Sequence, residues 1–101
     1  MSRYRVKRLF LHQGDVLVLR GYHARVLSAY ATMEGVLVWF TSTTSETERQ
    51  FMLNQLHPSS ELDPMTLTGA ISLGSTKDFT WALLPTPGGG APPTYTKEYE
   101  E

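Results

Sequence analysis

The chain carries three histidines, the side chains best suited to bind a metal ion or to move a proton near neutral pH. His12, His23 and His57 lie far apart, and no two of them stand at the i,i+2 or i,i+4 spacing that places two ligands on one face of a strand or helix. We therefore interpret them as exposed residues of loops or strand ends. No metal ion or other cofactor is predicted.

No arrangement typical of a nucleophile, an acid–base pair or a phosphate-binding loop stands out. Ser28 lies within an apolar run rather than in a GxSxG turn. Residues 88–90 are glycines, but no Lys followed by Ser or Thr comes after them, and the prolines around them are typical of a linker. Acidic residues near predicted strand ends are explained by turns and solubility; they are Asp15, Glu34, Asp63 and Asp78. We therefore predict that the protein is not an enzyme.

A basic stripe near the N-terminus is a stronger candidate for binding. Arg3, Arg5 and Lys7 share one face of the first predicted strand, because alternate residues of a strand point to the same side. Such a stripe is able to bind nucleic acid or an acidic protein surface, to protect an edge strand from pairing with another sheet, or to meet the acidic residues 98–101 of its own or another copy. Over the whole chain, nine Lys and Arg face ten Asp and Glu, so we do not expect nucleic acid to be the main partner.

A second candidate, for binding an anion or a small ligand, combines Arg20, Tyr22, His23 and Arg25. Two guanidinium groups bind anions, and two rings stack on a base or another flat ligand. The alternative interpretation of these residues is an ordinary exposed loop.

The elements that must position these residues are short β-rich runs bounded by Gly, Pro, Asp or Ser, as in a small sandwich or barrel. Gly14, Gly21 and Gly35 lie between runs, at positions suited to hairpin turns. The run 45–56 also fits a helix that begins with a capping box at Ser45, but we favour a strand there. The predicted strands are 3–11, 15–20, 25–32, 36–43, 48–56, 65–73 and 79–84. In the segment 65–73, larger apolar side chains alternate with small ones, which predicts a strand with one buried face; the alternating set is Met65, Leu67, Gly69, Ile71 and Leu73. They predict an all-β fold, a seven-stranded antiparallel β-sandwich or open barrel.

The predicted hairpin of strands 25–32 and 36–43 is apolar on both faces. One face carries Leu27, Ala29, Ala31, Leu37 and Trp39. The other face carries Val26, Tyr30, Val36, Val38 and Phe40. A single covering layer leaves one face exposed to water, so the hairpin is either central or part of an interface. The predicted interface residues are Val26, Tyr30, Val38, Phe40, Tyr95 and Tyr99.

One domain is expected from a length of 101 residues. We place a β domain at residues 1–84 and a Pro- and Gly-rich arm, with an acidic end that contains tyrosines, at residues 85–101. The absence of cysteine excludes disulfides and thiolate chemistry. We find neither a signal peptide nor an apolar run of about 18 residues, so we expect a protein that is not secreted by a signal peptide and has no membrane partner.

Several short motifs follow one another in a characteristic order. They are GYHARVLSA (21–29), GVLVWF (35–40), ERQF (48–51), HP (57–58) and FTWAL (79–83). This order resembles a family of small, uncharacterised β-rich proteins that are common in tailed-phage genomes. The chain departs from the family pattern where Arg20 replaces a proline, Leu56 replaces the glycine before the histidine, and Ala82 replaces the final histidine. The resemblance implies a β fold and a phage setting, with no catalytic residue.

We therefore expect a non-catalytic phage-type protein that acts through protein contacts in an oligomer or assembly, such as a virion decoration or structural subunit. The expected partner is a second copy of the chain or another phage protein. The alternative is an early phage accessory protein that binds a host factor or sequesters a small nucleotide signal, as an anti-defence protein does. The expected location is the virion or the host cytoplasm.

Overall fold

Strands form where β-branched and aromatic residues are frequent in the sequence. The computed structural model describes residues 3–86, so residues 87–101, with Tyr95 and Tyr99 and most of the predicted arm, lie outside the described residues. The elements are β1 Arg5–His12, β2 Val16–Arg20, β3 Val26–Ala31, β4 Gly35–Ser42, β5 Glu48–Leu56, α1 Pro64–Gly69, β6 Ile71–Ser75 and β7 Thr80–Pro85. These seven strands form two antiparallel sheets, one of them curled as a half-barrel, which confirms the predicted all-β architecture.

The strand orders are β1-β4-β3 in the three-stranded sheet and β2-β5-β7-β6 in the four-stranded sheet. The chain changes sheets after β1 and again after β2, so the prediction of hairpin turns at Gly14 and Gly21 is wrong. Both glycines do adopt positive φ angles, +87° and +107°. Turn residues bend the chain locally, whereas burial of the apolar faces selects the partner strand. Only the predicted turn before Gly35 joins two strands that pair with each other, β3 and β4.

The hydrophobic core lies between the two sheets. Its largest fully buried side chains are Trp81, Phe40, Leu9, Leu11, Leu17, Leu19, Leu53, Leu83, Val36 and Val38. Val38 and Phe40 have 0% exposure, because the four-stranded sheet covers the inner face of β4. Their prediction as interface residues is therefore corrected: the second layer that this face needs belongs to the same chain.

A β-bulge in β3 changes which side chains share a face. Val26 lies opposite Phe40 and Ser28 opposite Trp39, so Leu27 is an extra residue in the ladder. After the bulge, each side chain of β3 points to the face opposite to the one that simple alternation from Val26 predicts. Val26 packs against the core, whereas Tyr30 is 68% exposed on the outer surface. The prediction that these two residues share a face is wrong for this reason.

The segment predicted as a strand at 65–73 contains a short helix instead. Asp63 caps this helix by accepting a hydrogen bond of 2.8 Å from the Thr66 amide, and Pro64 occupies its first turn. Met65 and Leu67 are exposed, so the alternation that suggested a strand does not correspond to a buried face. The strand predicted at 48–56 is confirmed as β5. Among residues 3–86, no helix has the length and apolar character needed to span a membrane.

Candidate binding surfaces

A cleft of about 560 Å³ lies at the end of the sandwich where β1 begins and where β2 and β4 end. Its lining, which we call the basic cleft, consists of Arg3, Arg5, Lys7, Arg20, Ser42, Thr43, Thr44 and Ser45. The antiparallel pairing of β1 with β4 places Arg5 opposite Ser42, so the hydroxyl-rich segment after β4 lies beside the basic N-terminal segment. The fold thus joins the basic stripe to one member of the second sequence cluster, Arg20.

Main-chain hydrogen bonds hold the three segments of the basic cleft together. The Thr43 amide donates to the Arg20 carbonyl at 3.0 Å, and the Thr43 hydroxyl donates to the Arg3 carbonyl at 2.8 Å. Gly21 leaves room for the Tyr4 ring, because a Cβ there would lie 2.7 Å from that ring. The Tyr4 hydroxyl in turn accepts a hydrogen bond of 2.9 Å from the His23 amide. The first strand is therefore anchored to the loop that follows β2.

One carboxylate orients a cation of the basic cleft. Arg20 and Glu48 are paired residues of β2 and β5, and their side chains form an ion pair of 2.7 Å. Next to this pair, the Arg49 guanidinium donates to the Ala24 carbonyl and fixes the loop between β2 and β3. The pairing holds the Arg20 guanidinium at the edge of the four-stranded sheet, across the cleft from β1.

The other members of the second sequence cluster do not line the basic cleft. Tyr22 is exposed, and its ring meets that of His23 edge-on at a centroid distance of 5.0 Å. On the outer side of β4, the Arg25 amide donates to the Thr41 hydroxyl at 3.0 Å, and the Arg25 carbonyl accepts from the Thr41 amide at 2.9 Å. Sequence reasoning missed the hydroxyl side chains of the cleft, although the run TSTTS at 41–45 is visible in the sequence.

The three histidines lie in separate parts of the fold, at the end of β1, in the loop after β2 and directly after β5. The His12 amide donates to the Asp15 carboxylate at 2.8 Å and closes the connection between β1 and β2. The His57 ring lies 3.3 Å from the Gln55 side-chain oxygen and packs near Phe79. Within residues 3–86, no three side chains of the metal-ligand types lie together.

At Asp63, hydrogen bonds from the Thr66 amide and hydroxyl lower the pKa of the carboxyl group.

The outer face of the three-stranded sheet forms a second candidate surface. Its exposed or half-buried apolar side chains, which we call the aromatic face, are Val6, Phe10, Tyr30, Leu37 and Trp39. Leu37 lies between Phe10 on β1 and Tyr30 on β3, so these side chains form one continuous row across the sheet. From the strand rise and spacing of a sheet, the whole outer surface of the three-stranded sheet measures roughly 25 Å by 14 Å, and the aromatic face takes up roughly half of that length, from Val6 to Phe10.

Trp39 lies at the centre of the aromatic face and is 39% exposed. The Arg8 guanidinium carbon lies 5.3 Å from the centroid of its ring, in a cation–π contact.

Comparison with protein-family models, with curated proteins and with solved structures finds no match for the chain. The two surfaces have different chemistry, because the basic cleft offers donors to an anion and the aromatic face offers apolar area.

Proposed function

We propose that this protein is a non-catalytic binding protein that associates with further copies of itself through the aromatic face. The observation that carries the proposal is the exposure of Tyr30 and Trp39 on the outside of the three-stranded sheet. Large apolar side chains that form a continuous exposed patch are typical of interaction sites. Aromatic residues together with arginine are also the residues enriched at the centres of protein interfaces.

A second copy is the simplest occupant of the aromatic face. The outer side of this sheet carries Arg8, whose cation lies over Trp39, and also Arg25, which lies at the end of the sheet next to Thr41. An apolar face is complementary to itself in a two-fold pair, whereas a strongly charged face repels its copy. Even the whole outer surface of the sheet, roughly 350 Å² per copy, is below the roughly 800 Å² per partner of a standard interface, so one such contact alone should be weak. Repeated contacts in an assembly strengthen such an interaction.

A phage assembly is the setting that we propose for this self-association, with the role of a virion decoration or structural subunit. Support for the phage setting comes from the motif order between residues 21 and 83, and support for the assembly role comes from the aromatic face. If particles of the phage that encodes the chain are purified and analysed by mass spectrometry, the polypeptide should be present. Its absence from the particles would remove the virion role while leaving self-association to be tested separately.

Self-association is tested by comparing two glutamate variants by size-exclusion chromatography with light scattering. Tyr30→Glu adds a charge to the aromatic face, whereas Met65→Glu adds the same charge to the helix α1, where Met65 is 84% exposed. Over a roughly hundred-fold range of concentration, the wild type and Met65→Glu should show the same rise in mass. Tyr30→Glu should stay monomeric. Equal association of both variants would overturn the proposed surface, and so would capture by another phage protein without self-association.

A further inference from the structure

We propose that two copies of the chain pair through the aromatic face with antiparallel strands, so that Arg25 of each copy forms an ion pair with Glu34 of the other. Arg25 lies next to Thr41 at one end of the three-stranded sheet, and Glu34 lies in the turn between β3 and β4 at the other end. Both side chains are exposed. This inference rests on the proposed self-association and adds its orientation.

Main-chain hydrogen bonds hold both charged residues in fixed positions. Two of them join Arg25 to Thr41 on the outer side of β4. At the opposite end, the Thr32 amide donates to the Gly35 carbonyl at 2.8 Å, and the Glu34 amide donates to the Thr32 hydroxyl at 3.2 Å. The main chain at both ends is therefore already ordered before a second copy binds, which lowers the entropic cost of the contact.

Both charges are able to interact with a second copy. Within residues 3–86, neither the Arg25 guanidinium nor the Glu34 carboxylate has an ion-pair partner. From the rise of a strand, Thr41 and Gly35 lie about 20 Å apart along β4, which exceeds the Debye length of about 8 Å at physiological ionic strength. The two charges of one copy therefore interact little with each other. Arg8, the other arginine on this side, lies over Trp39 and marks neither end.

Electrostatic interactions favour one of the two ways in which the face can meet its copy. A two-fold axis along the strands keeps the strands of both copies parallel. It places both Arg25 side chains at one end of the pair and both Glu34 side chains at the other, where like charges repel. An axis across the strands makes them antiparallel and sets β3 above β3 of the other copy, so each Arg25 meets a Glu34. Packed sheets lie about 10 Å apart, a gap that an arginine and a glutamate side chain span together.

The antiparallel arrangement also places apolar side chains at the centre of the contact. The midpoint of β4 between Gly35 and Thr41 is Val38, and the outward-facing Leu37 and Trp39 lie on either side of it. These side chains of both copies meet at the axis, and the two ion pairs lie at the rim. An apolar centre with a polar rim is typical of protein interfaces. Charges at the rim add little affinity, but they determine the orientation and the rate of association.

Charge reversal at the two ends tests this arrangement by sedimentation equilibrium at roughly 0.01 M ionic strength, where screening is weak. Arg25→Glu makes both ends acidic, and Glu34→Arg makes both ends basic, so each variant alone should associate at least about fivefold more weakly than the wild type. The double variant Arg25→Glu/Glu34→Arg should recover wild-type association within about twofold, because opposite charges meet again. An equimolar mixture of the two single variants should do the same.

Lys77→Glu and Asp78→Arg are matched controls, because they change the net charge by the same amounts in the turn between β6 and β7. Both should associate as the wild type does, and thermal melting should show that every variant is folded. If Arg25→Glu and Glu34→Arg associate as tightly as these controls, the inference is wrong. Tighter association of their mixture than of the wild type would indicate parallel strands and also overturn it. A wild type that stays monomeric would overturn the proposed function itself, so the two failures are distinct.

Discussion

The indole nitrogen of Trp81 donates a hydrogen bond of 2.8 Å to the main-chain carbonyl of Thr32. Trp81 is a fully buried residue of β7 in the four-stranded sheet, and Thr32 begins the turn between β3 and β4 in the three-stranded sheet. The Thr32 hydroxyl also accepts hydrogen bonds from the amides of Glu34 and Gly35, at 3.2 and 3.1 Å. The Trp81 side chain thus links the four-stranded sheet to the turn between β3 and β4, and this turn holds β3 and the aromatic face in place.

Replacement of Trp81 by phenylalanine should therefore destabilise the domain more than the loss of buried apolar area alone predicts. Phenylalanine keeps an apolar ring but removes the donor to the Thr32 carbonyl and leaves that oxygen without its partner. We expect the free energy of unfolding to fall by about 1–3 kcal/mol from the lost hydrogen bond, with a further loss from the smaller ring. Urea unfolding measures the change. Trp39→Phe, on the outer face, is the matched control and should change stability by less than about 1 kcal/mol.

Phe40→Asp should unfold the domain, whereas Trp39→Asp should fold. The two side chains are adjacent in β4 but point to opposite faces, with Phe40 completely buried and Trp39 partly exposed. Loss of a buried phenylalanine alone costs about 3–5 kcal/mol, and an unpaired buried carboxylate adds to this cost. Circular dichroism and thermal melting distinguish the outcomes. A cooperative melt of Phe40→Asp close to that of the wild type would contradict the position of Phe40 in the core.

Gly35→Ala should be more harmful than Gly14→Ala, although Gly14 has the positive φ angle of +87°. A Cβ at Gly35 would lie 2.2 Å from the Leu11 carbonyl oxygen, so β1 and β4 would have to separate. No atom lies within 4 Å of a Cβ at Gly14, where the expected cost is backbone strain of about 1–2 kcal/mol. For Gly35 we expect about 3 kcal/mol, at the upper end of the cost of overpacking. Equal destabilisation in urea unfolding would contradict this pairing of β1 with β4.

The Asp63 cap should make the helix α1 sensitive to acid. Hydrogen bonds from Thr66 lower the pKa of this carboxyl below its ordinary value of 3.8. The cap therefore contributes fully above pH 3.8, and its contribution is lost as the pH falls through the lowered pKa. The Thr66 amide shift in NMR spectra should follow this titration. Asp63→Asn keeps a capping oxygen without an ionisable group, so its Thr66 shift should not titrate. The same titration in both proteins would contradict the assignment.

Alternation and turn signals in the sequence were sufficient to predict the β class and six of the strand positions, including β5, because central strands carry long apolar and β-branched runs. They did not predict the sheet to which each strand belongs. A glycine such as Gly14 indicates a bend, but the partner of β1 is β4, and this long-range pairing depends on how the inner faces pack.

Two local features account for the remaining differences between prediction and structure. The bulge at Leu27 rotates Tyr30 away from the core, and a single extra residue leaves no clear signal in a simple alternation of apolar residues. At α1, by contrast, the pair Asp63-Pro64 is a helix-start signal that the alternating pattern at 65–73 outweighed. The basic cleft was predicted only in part, because Arg20 is distant from the N-terminal stripe in the sequence and lies next to it only in the folded chain.

Sedimentation equilibrium of the wild-type chain tests the proposed self-association most directly. At low concentration the mass should equal that of one chain, 11.4 kDa. As the concentration rises by roughly a hundred-fold, the average mass should increase toward at least twice this value, because the aromatic face pairs with its copy. A mass of 11.4 kDa at every concentration would contradict the account.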